Sequence, residues 1–410
     1  MSLSFRVGQL ALCIGLLNVF SGPAVAVETV KSEPLLEVVD TILAVHPQMQ
    51  LARARLDQAK AETNASQQPL YNPALAIYYE SNVDDISTVG ISQTVDWSDK
   101  QGAFSQIGAQ NLLSAEARFV GMRQSIAADF LRKINNFQSA KMSAELNQQQ
   151  LDTLQEFVNI AQQRFTVGDI SQVELDLALL AAGELRMNSA KIQANNFAAQ
   201  LELESFFNFD KRTIPSLGID LIGSDSTSIE QLLQQHPLLK QLKIASNAAK
   251  AEIKLAERQK SADPTLSINA GKEGDESIVN LGFSMPLFVR NNFSAGVDVA
   301  IANSVAVEQD YLNAYREILV AVKATKKSLG LTLRAYQQWT RLSQSGLQQR
   351  GRLLQKLWRS GDLETTDYIV QVQQTLDTRI AATQLKADVI DAWINFLVAS
   401  GQIDDWLNLK

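Results

Sequence analysis

His46-Pro47 followed by Ala59-Lys60-Ala61-Glu62 returns later in the chain as His236-Pro237 followed by Ala249-Lys250-Ala251-Glu252, at identical internal spacing. A repeat on this scale governs the whole fold, and the match continues in order. Asn72-Pro73 opens one strand and Asp263-Pro264 another, and Gly90-Ile91-Ser92-Gln93 aligns with Gly282-Phe283-Ser284-Met285. Further on, Phe165-Thr166-Val167-Gly168-Asp169-Ile170 aligns with Trp358-Arg359-Ser360-Gly361-Asp362-Leu363. Each half therefore reads helix, two strands, a very long helix, a turn and a further helix. The division that follows is a first repeat over 27–207, a connector over 208–228, a second repeat over 229–400 and a tail over 401–410. The connector reading rests on Pro215, Gly218, Gly223 and the Ser and Asp residues around them.

Proline placement sets the helix lengths. None lies between Pro73 and Pro215, or after Pro286, and proline is excluded from helix interiors. Residues 103–165 are rich in Ala, Gln, Leu, Arg and Glu, with Leu151, Leu154, Phe157, Val158, Ala161 and Phe165 at helical spacing. At 1.5 Å per residue such a helix is roughly 95 Å long, far beyond what a compact domain needs. Shorter helices expected over 35–67 and 171–207 would together match it. The second half repeats the arithmetic with helices over 229–261, 293–358 and 363–398.

The strands alternate. Leu75, Ile77 and Tyr79 share a face, as do Val89, Ile91, Val95 and Trp97, while Thr88, Gly90, Ser92, Thr94 and Asp96 point the other way. In the second hairpin Leu266, Ile268 and Ala270 oppose Thr265, Ser267 and Asn269, and Val279, Leu281, Phe283, Met285 and Leu287 oppose Asn280, Gly282 and Ser284. One apolar and one small polar face fit a barrel wall between lipid and a wet lumen, and equally a soluble sheet packed on one face. Four strands cannot enclose a usable pore, because a barrel of about eight is already filled by its own side chains. A barrel reading therefore demands several copies in a ring.

The first residues read as an export signal. Arg6 precedes an apolar run from Leu10 to Phe20, the breakers Ser21, Gly22 and Pro23 follow, and Ala24-Val25-Ala26 forms an A-x-A cleavage site, giving a signal over 1–26. The single cysteine, Cys13, falls inside it, so the mature chain has no thiol for a disulfide, a metal or a nucleophile. Lipidation at Cys13 is disfavoured by the bulky Leu12. With 37 basic and 44 acidic residues the chain carries no nucleic-acid footprint. No later stretch reaches 18 consecutive apolar residues, so any crossing of a membrane must use short strands in a closed barrel.

Together these features resemble the TolC-like outer membrane efflux family over nearly the whole mature chain. The likeness rests on the duplicated plan, the His-Pro starts with Ala-Lys-Ala-Glu beyond, and Arg164-Phe165-x-x-Gly168 with its echo Leu357-Trp358-x-x-Gly361. Met285-Pro286-Leu287-Phe288 followed by Arg290-Asn291-Asn292 is similar to the branch associated with cobalt, zinc and cadmium resistance. The resemblance implies a mainly helical protein with a small sheet. It implies a homotrimer sharing a twelve-stranded barrel in outer membrane lipid and a helical tunnel across the periplasm. It implies as partners a periplasmic adaptor and an inner membrane transporter of the RND type, with no cofactor and with divalent metals or drugs as cargo.

The turn motif has its own reading. Gly168 and Gly361 sit where a long helix must reverse, and glycine tolerates the left-handed backbone of a helix C-cap. Asp169 and Asp362 follow and are expected to cap the returning helices. Glu174 and Asp367 come six residues after each glycine. The resemblance puts acidic residues of this region at a constricted aperture, where rings of carboxylates favour cations; plain capping at a helix N-terminus is the alternative. Phe165 and Trp358 are docking contacts or interhelix packing. Ile170 and Leu363 stand where relatives place a polar or basic gate residue, which argues against a salt-bridged lock there.

An enzyme finds little support. His46 and His236 are the only histidines, each precedes proline at a helix start, and neither has a ligand cluster at metal-binding spacing. Asp84-Asp85 and Asp404-Asp405 read as solvated charges. A periplasmic adaptor with a single coiled-coil hairpin would not duplicate the strands, and a coiled-coil scaffold would not need them.

Overall fold

The computed structural model describes residues 33–81, 84–206, 214–223 and 227–409. The export signal, Cys13 and parts of the connector lie outside the described residues. The first half runs α1 (Glu33–Val45), α2 (Pro47–Ser66), β1 (Ala74–Glu80), β2 (Ile86–Thr94), α3 (Lys100–Thr166) and α4 (Gln172–Glu204). The second runs α5 (Ile229–Gln235), α6 (Pro237–Gln259), β3 (Thr265–Glu273), β4 (Glu276–Ser284), α7 (Ser294–Arg359) and α8 (Thr365–Ser400), followed by α9 (Ile403–Leu407). The duplication is therefore visible element by element.

Single helices expected over 35–67 and 229–261 are each two. His46 and His236 adopt extended backbone, with ψ of 129° and 123°, because a following proline ring disfavours the helical region for the residue before it. Proline then takes the first position of the new helix, where its missing N–H costs nothing.

The strands form one antiparallel sheet in the order β1-β2-β3-β4. Its register aligns Leu75 with Ile91, Ile91 with Ile268 and Ile268 with Leu281, so the apolar residues of both hairpins make one continuous face. That face is bare: Ile77 is 76% exposed and Leu281 81%. The opposite face is small and crowded. A Cβ on Gly90 would lie 1.8 Å from the Asn269 Oδ1, and one on Gly271 would lie 1.8 Å from the Ser87 carbonyl oxygen. Glycine at these points lets neighbouring strands close in on the polar side.

Both long helices start from a residue in left-handed conformation, Asp99 at φ 58° and Phe293 at φ 58°. At the first corner the Asp96 carboxylate accepts from the backbone N–H groups of Lys100 and Gln101 at 2.8 and 2.7 Å, supplying the cap. The Lys100 ammonium donates to Asp263 at 2.7 Å and to the Ser261 carbonyl at 2.8 Å, and Tyr71 donates to the same carboxylate at 2.7 Å. This buried cluster ties the first half to the second where sheet meets rods.

Below the sheet the helices pack side by side. Near the strands the lateral order is α2, α3, α6, α7; farther away it is α4, α3, α8, α7. Thr63 of α2 donates to the Gly108 carbonyl of α3, Ser246 of α6 to Glu308 of α7, and Asn135 of α3 to the Ala387 carbonyl of α8. A second layer covers the middle of the row. Leu35, Val39 and Ile42 of α1, Leu217 and Leu221 of the connector, and Ile403 and Leu407 of α9 bury against Phe130, Leu131 and Ile134 of α3 and Ile394 of α8. Residues 401–409 are thus no loose tail. Asp404, expected to be solvated, is 7% exposed and paired with Arg123, since the polar group that anchors α9 sits at the rim of this core.

The outer edge of α4 remains open. Val173, Leu180 and Met187 are 75%, 70% and 72% exposed and Leu201 is 48% exposed, with Ala194 completing a strict seven-residue spacing. A repeat of seven keeps one stripe facing a partner helix in a left-handed coil, and among the described residues α4 packs on α3 and α8 while this stripe stays exposed.

His236 lies buried against Gly401 at the end of α8, and burial pushes its pKa down to about 4. The folded state thus holds it neutral, while the unfolded chain binds its proton below about pH 6.5. Stability is full above pH 6.5 and falls as pH drops toward 4, by on the order of 2 kcal/mol per chain at pH 5. Thermal unfolding of the detergent-solubilised protein at pH 7.5 and 5 should show this loss, and His236→Gln should flatten it. An unchanged pH slope in the variant would remove the assignment.

Candidate channel tip and wall

The end of the molecule far from the sheet is built twice from the same turn. Gly168 has φ 76° and Gly361 φ 81°. In the first turn the Gly168 N–H donates to the Phe165 carbonyl at 2.9 Å and the Asp169 N–H to the Arg164 carbonyl at 2.8 Å. In the second, Gly361 donates to the Trp358 carbonyl at 3.1 Å and Asp362 to the Leu357 carbonyl at 2.9 Å. These paired bonds close the orphan carbonyls of a helix end, and they need a residue free of Cβ strain at the left-handed position.

Neither aspartate caps the returning helix. Asp169 accepts from the Arg164 Nε at 2.6 Å, and Asp362 accepts from the Ser360 hydroxyl at 2.6 Å. The caps sit two residues later. Ser171 accepts from the Glu174 N–H at 3.3 Å, while the Glu174 carboxylate accepts from the Ser171 N–H at 2.8 Å and its hydroxyl at 2.9 Å. The chain places its aspartates too early because the turn consumes them in closing α3 and α7.

Glu174 is thereby committed to its own helix. Its bonds from the Ser171 backbone and hydroxyl, then the Thr365 hydroxyl and the Arg164 charge, hold its carboxyl below the ordinary carboxylate range. The second turn lacks this arrangement. Glu364 stands where Ser171 stands in the first and makes no side-chain cap, and Leu357 replaces Arg164. Asp367, the counterpart of Glu174, is exposed.

Trp358 is 1% exposed, which excludes it as a surface docking contact. Its ring stands 4.5 Å from Phe157 and 5.2 Å from Tyr368, and its indole N–H points to the Thr365 hydroxyl at 3.4 Å. Phe165, half-buried, packs on the same cluster, as do buried Ile170 and partly buried Leu363. The two hairpins α3/α4 and α7/α8 are fused here. Arg164 donates to the Trp358 carbonyl at 3.4 Å with its guanidinium 5.6 Å from the Trp358 ring, and Arg359 pairs with Glu156. Nothing local in the sequence marks Arg164 or Glu156 for these roles, because their partners Trp358, Gln355 and Arg359 lie about 200 residues away, whereas Thr365 is only seven residues from Trp358.

An apolar sheet face left bare, a crowded polar face behind it, and two open strand edges above paired rods are what one protomer of a shared membrane barrel would present. Among the described residues no helix is long and apolar enough to cross a membrane. Residues 38–208 match the family described as outer membrane efflux protein. The fold is similar to that of CusC (18% identity, 90% of this chain and 92% of that chain covered, TM-score 0.71). It is similar also to the CmeC outer membrane channel of Campylobacter jejuni (16%, 90% and 86%, 0.70) and to the open state of the MtrE outer membrane channel of Neisseria gonorrhoeae (15%, 90% and 89%, 0.74). No curated protein matches the chain. The family match covers residues 38–208, within the first half of the duplication, and over nine tenths of the chain the fold is shared with outer membrane channels.

Proposed function

We propose that three copies of this chain close into one barrel and one helical tunnel, which serves as the passive exit duct of a tripartite efflux system. The observation that carries this reading is the sheet with β1 and β4 both unpaired on their outer edges. In hydrocarbon an open edge costs several kcal/mol for each unsatisfied group; pairing β4 of one copy with β1 of the next removes both edges at once. The exposed stripe on α4 supports the same closure among the rods, where it would meet α7 of a neighbour. An inner membrane transporter and a periplasmic adaptor would supply drive and opening, since a duct without chemistry of its own can only be gated by what binds it.

Asp367 is the stronger aperture residue of the pair, because Glu174 is engaged in capping while Asp367 is free to face a narrow path. Cargo is assigned as divalent metal cations. The Met285-Pro286-Leu287-Phe288 stretch is similar to that of metal-resistance relatives, and the loop end of the sheet carries Glu80, Asp84, Asp85, Glu273, Asp275 and Glu276 against Lys272. A carboxylate-rich mouth lowers the energy of a cation and repels anions.

Native mass measurement of the detergent-solubilised protein should give three chains per particle; a monomer or dimer would remove ring closure. In planar bilayers Asp367→Asn should raise single-channel conductance and weaken cation preference, and unchanged current would take Asp367 out of the aperture. A deletion strain should become sensitive to cobalt, zinc, cadmium or nickel. Sensitivity confined to amphiphilic drugs would make the same architecture a multidrug duct.

A further inference from the structure

Midway along the rods, α3, α7, α8 and the connector of a single chain line a solvent-open cavity of about 520 Å³. Its floor is apolar and buried, made by Leu146, Ala382, Ala387 and Ile390. One wall carries the rings of Tyr336 and Trp339, 6.2 Å apart. Around it stand Lys141, Arg379 and Lys386 with a single carboxylate, Glu145. None of the three cations forms an ion pair among the described residues. The connector wall is fixed in place, since Gln138 donates to the Pro215 carbonyl at 2.8 Å and accepts from the Leu217 N–H at 3.1 Å.

This volume falls within the range of small-molecule sites, which pair an apolar interior with a few placed polar groups. Three unpaired cations against one acid select negative charge, and Arg379 offers a planar fork suited to an oxyanion. The aromatic wall and aliphatic floor select an apolar body. A membrane lipid cannot be the source: Asn135, at the near end of the cavity, lies roughly 50 Å down α3 from Lys100 at the base of the sheet, at 1.5 Å per residue.

We propose that this cavity is a binding site for a soluble anionic amphiphile, a molecule with one carboxylate or sulfonate head and an apolar body, taken up from the periplasm-facing solvent by each chain on its own. The site lies outside the tip and the barrel and is independent of the cargo assigned above.

The test is a titration of the protein in neutral detergent with 11-(dansylamino)undecanoate, whose dansyl group accepts energy from nearby tryptophan. Binding should saturate at one ligand per chain, with the methyl ester about tenfold weaker than the acid. Arg379→Gln/Lys386→Gln should weaken the acid about tenfold without changing the ester, and Trp339→Phe should lower the energy transfer while leaving saturation in place. Lys243→Gln, remote from the cavity, should bind as the native protein does. Equal affinity for acid and ester, or equal binding by the native protein and the double variant, overturns the proposal. If the double variant fails to assemble, the acid–ester comparison in the native protein decides alone.

Discussion

Within bilayer hydrocarbon every backbone N–H and C=O has to find a protein partner, and a ribbon of four strands meets that demand everywhere except along β1 and β4. Much of the rest is arranged around this constraint. The sheet cannot curl on itself, because so few strands leave no lumen, and among the described residues both its edges stay open. Leaving edges open requires that all four strands enter and leave at one end, which the two hairpins achieve, and that both hairpins share one register, which the continuous apolar face records. The rods then inherit the same lateral order as the strands, and the helices at the ends of the row are left as open as the strands at the ends of the sheet.

The corner between sheet and rods carries the consequence of that inheritance. The chain passes from strand to helix between β2 and α3 and again between β4 and α7. Both corners do so through one residue at φ 58°, although neither Asp99 nor Phe293 is glycine. A left-handed non-glycine residue is costly unless its surroundings hold it. At the first corner they do: Asp96 caps α3, Arg258 of α6 pairs with Asp99, and the buried Lys100, Asp263 and Tyr71 cluster clamps the two repeats together.

What sequence made legible follows from the range of the interactions involved. The duplication, the alternating faces and the long rods are local or periodic signals, and the structure reproduces them with element ends moved by a few residues. The left-handed glycines were legible for the same reason: a helix that must reverse has few ways to end. The breaks at His46 and His236 were half-legible, since the proline announces a start without announcing that another helix precedes it. Long-range partnerships left no trace. Nothing near Asp404 in sequence points to Arg123, and nothing near Trp358 says that Phe157 and Tyr368 will bury it. Charge is read as exposure by default, and at Asp404 that reading fails because a distant element supplies cover; for Trp358 interhelix packing is one of the two readings, and only its partners are hidden.

The two tip turns show how far a duplication can diverge while its backbone stays fixed. Both keep the glycine at positive φ and the same pair of closing bonds, since these are properties of the turn itself. Their side chains have separated. The first turn holds a reciprocal cap between Ser171 and Glu174 and an ion pair between Arg164 and Asp169. At the matching positions the second turn has Glu364, Asp367 and Leu357, which make neither. The start of α4 is therefore fastened within its own turn. The start of α8 depends on contacts that reach across to the other hairpin, through Thr365 to Trp358 and through Trp358 to Phe157. Both hairpins share one buried cluster, so the difference between them lies in the turns: one carries its own cap and ion pair, the other carries neither. The end of the rods far from the sheet therefore joins a hairpin start fastened by its own turn to one whose seating is set by the interface between the hairpins.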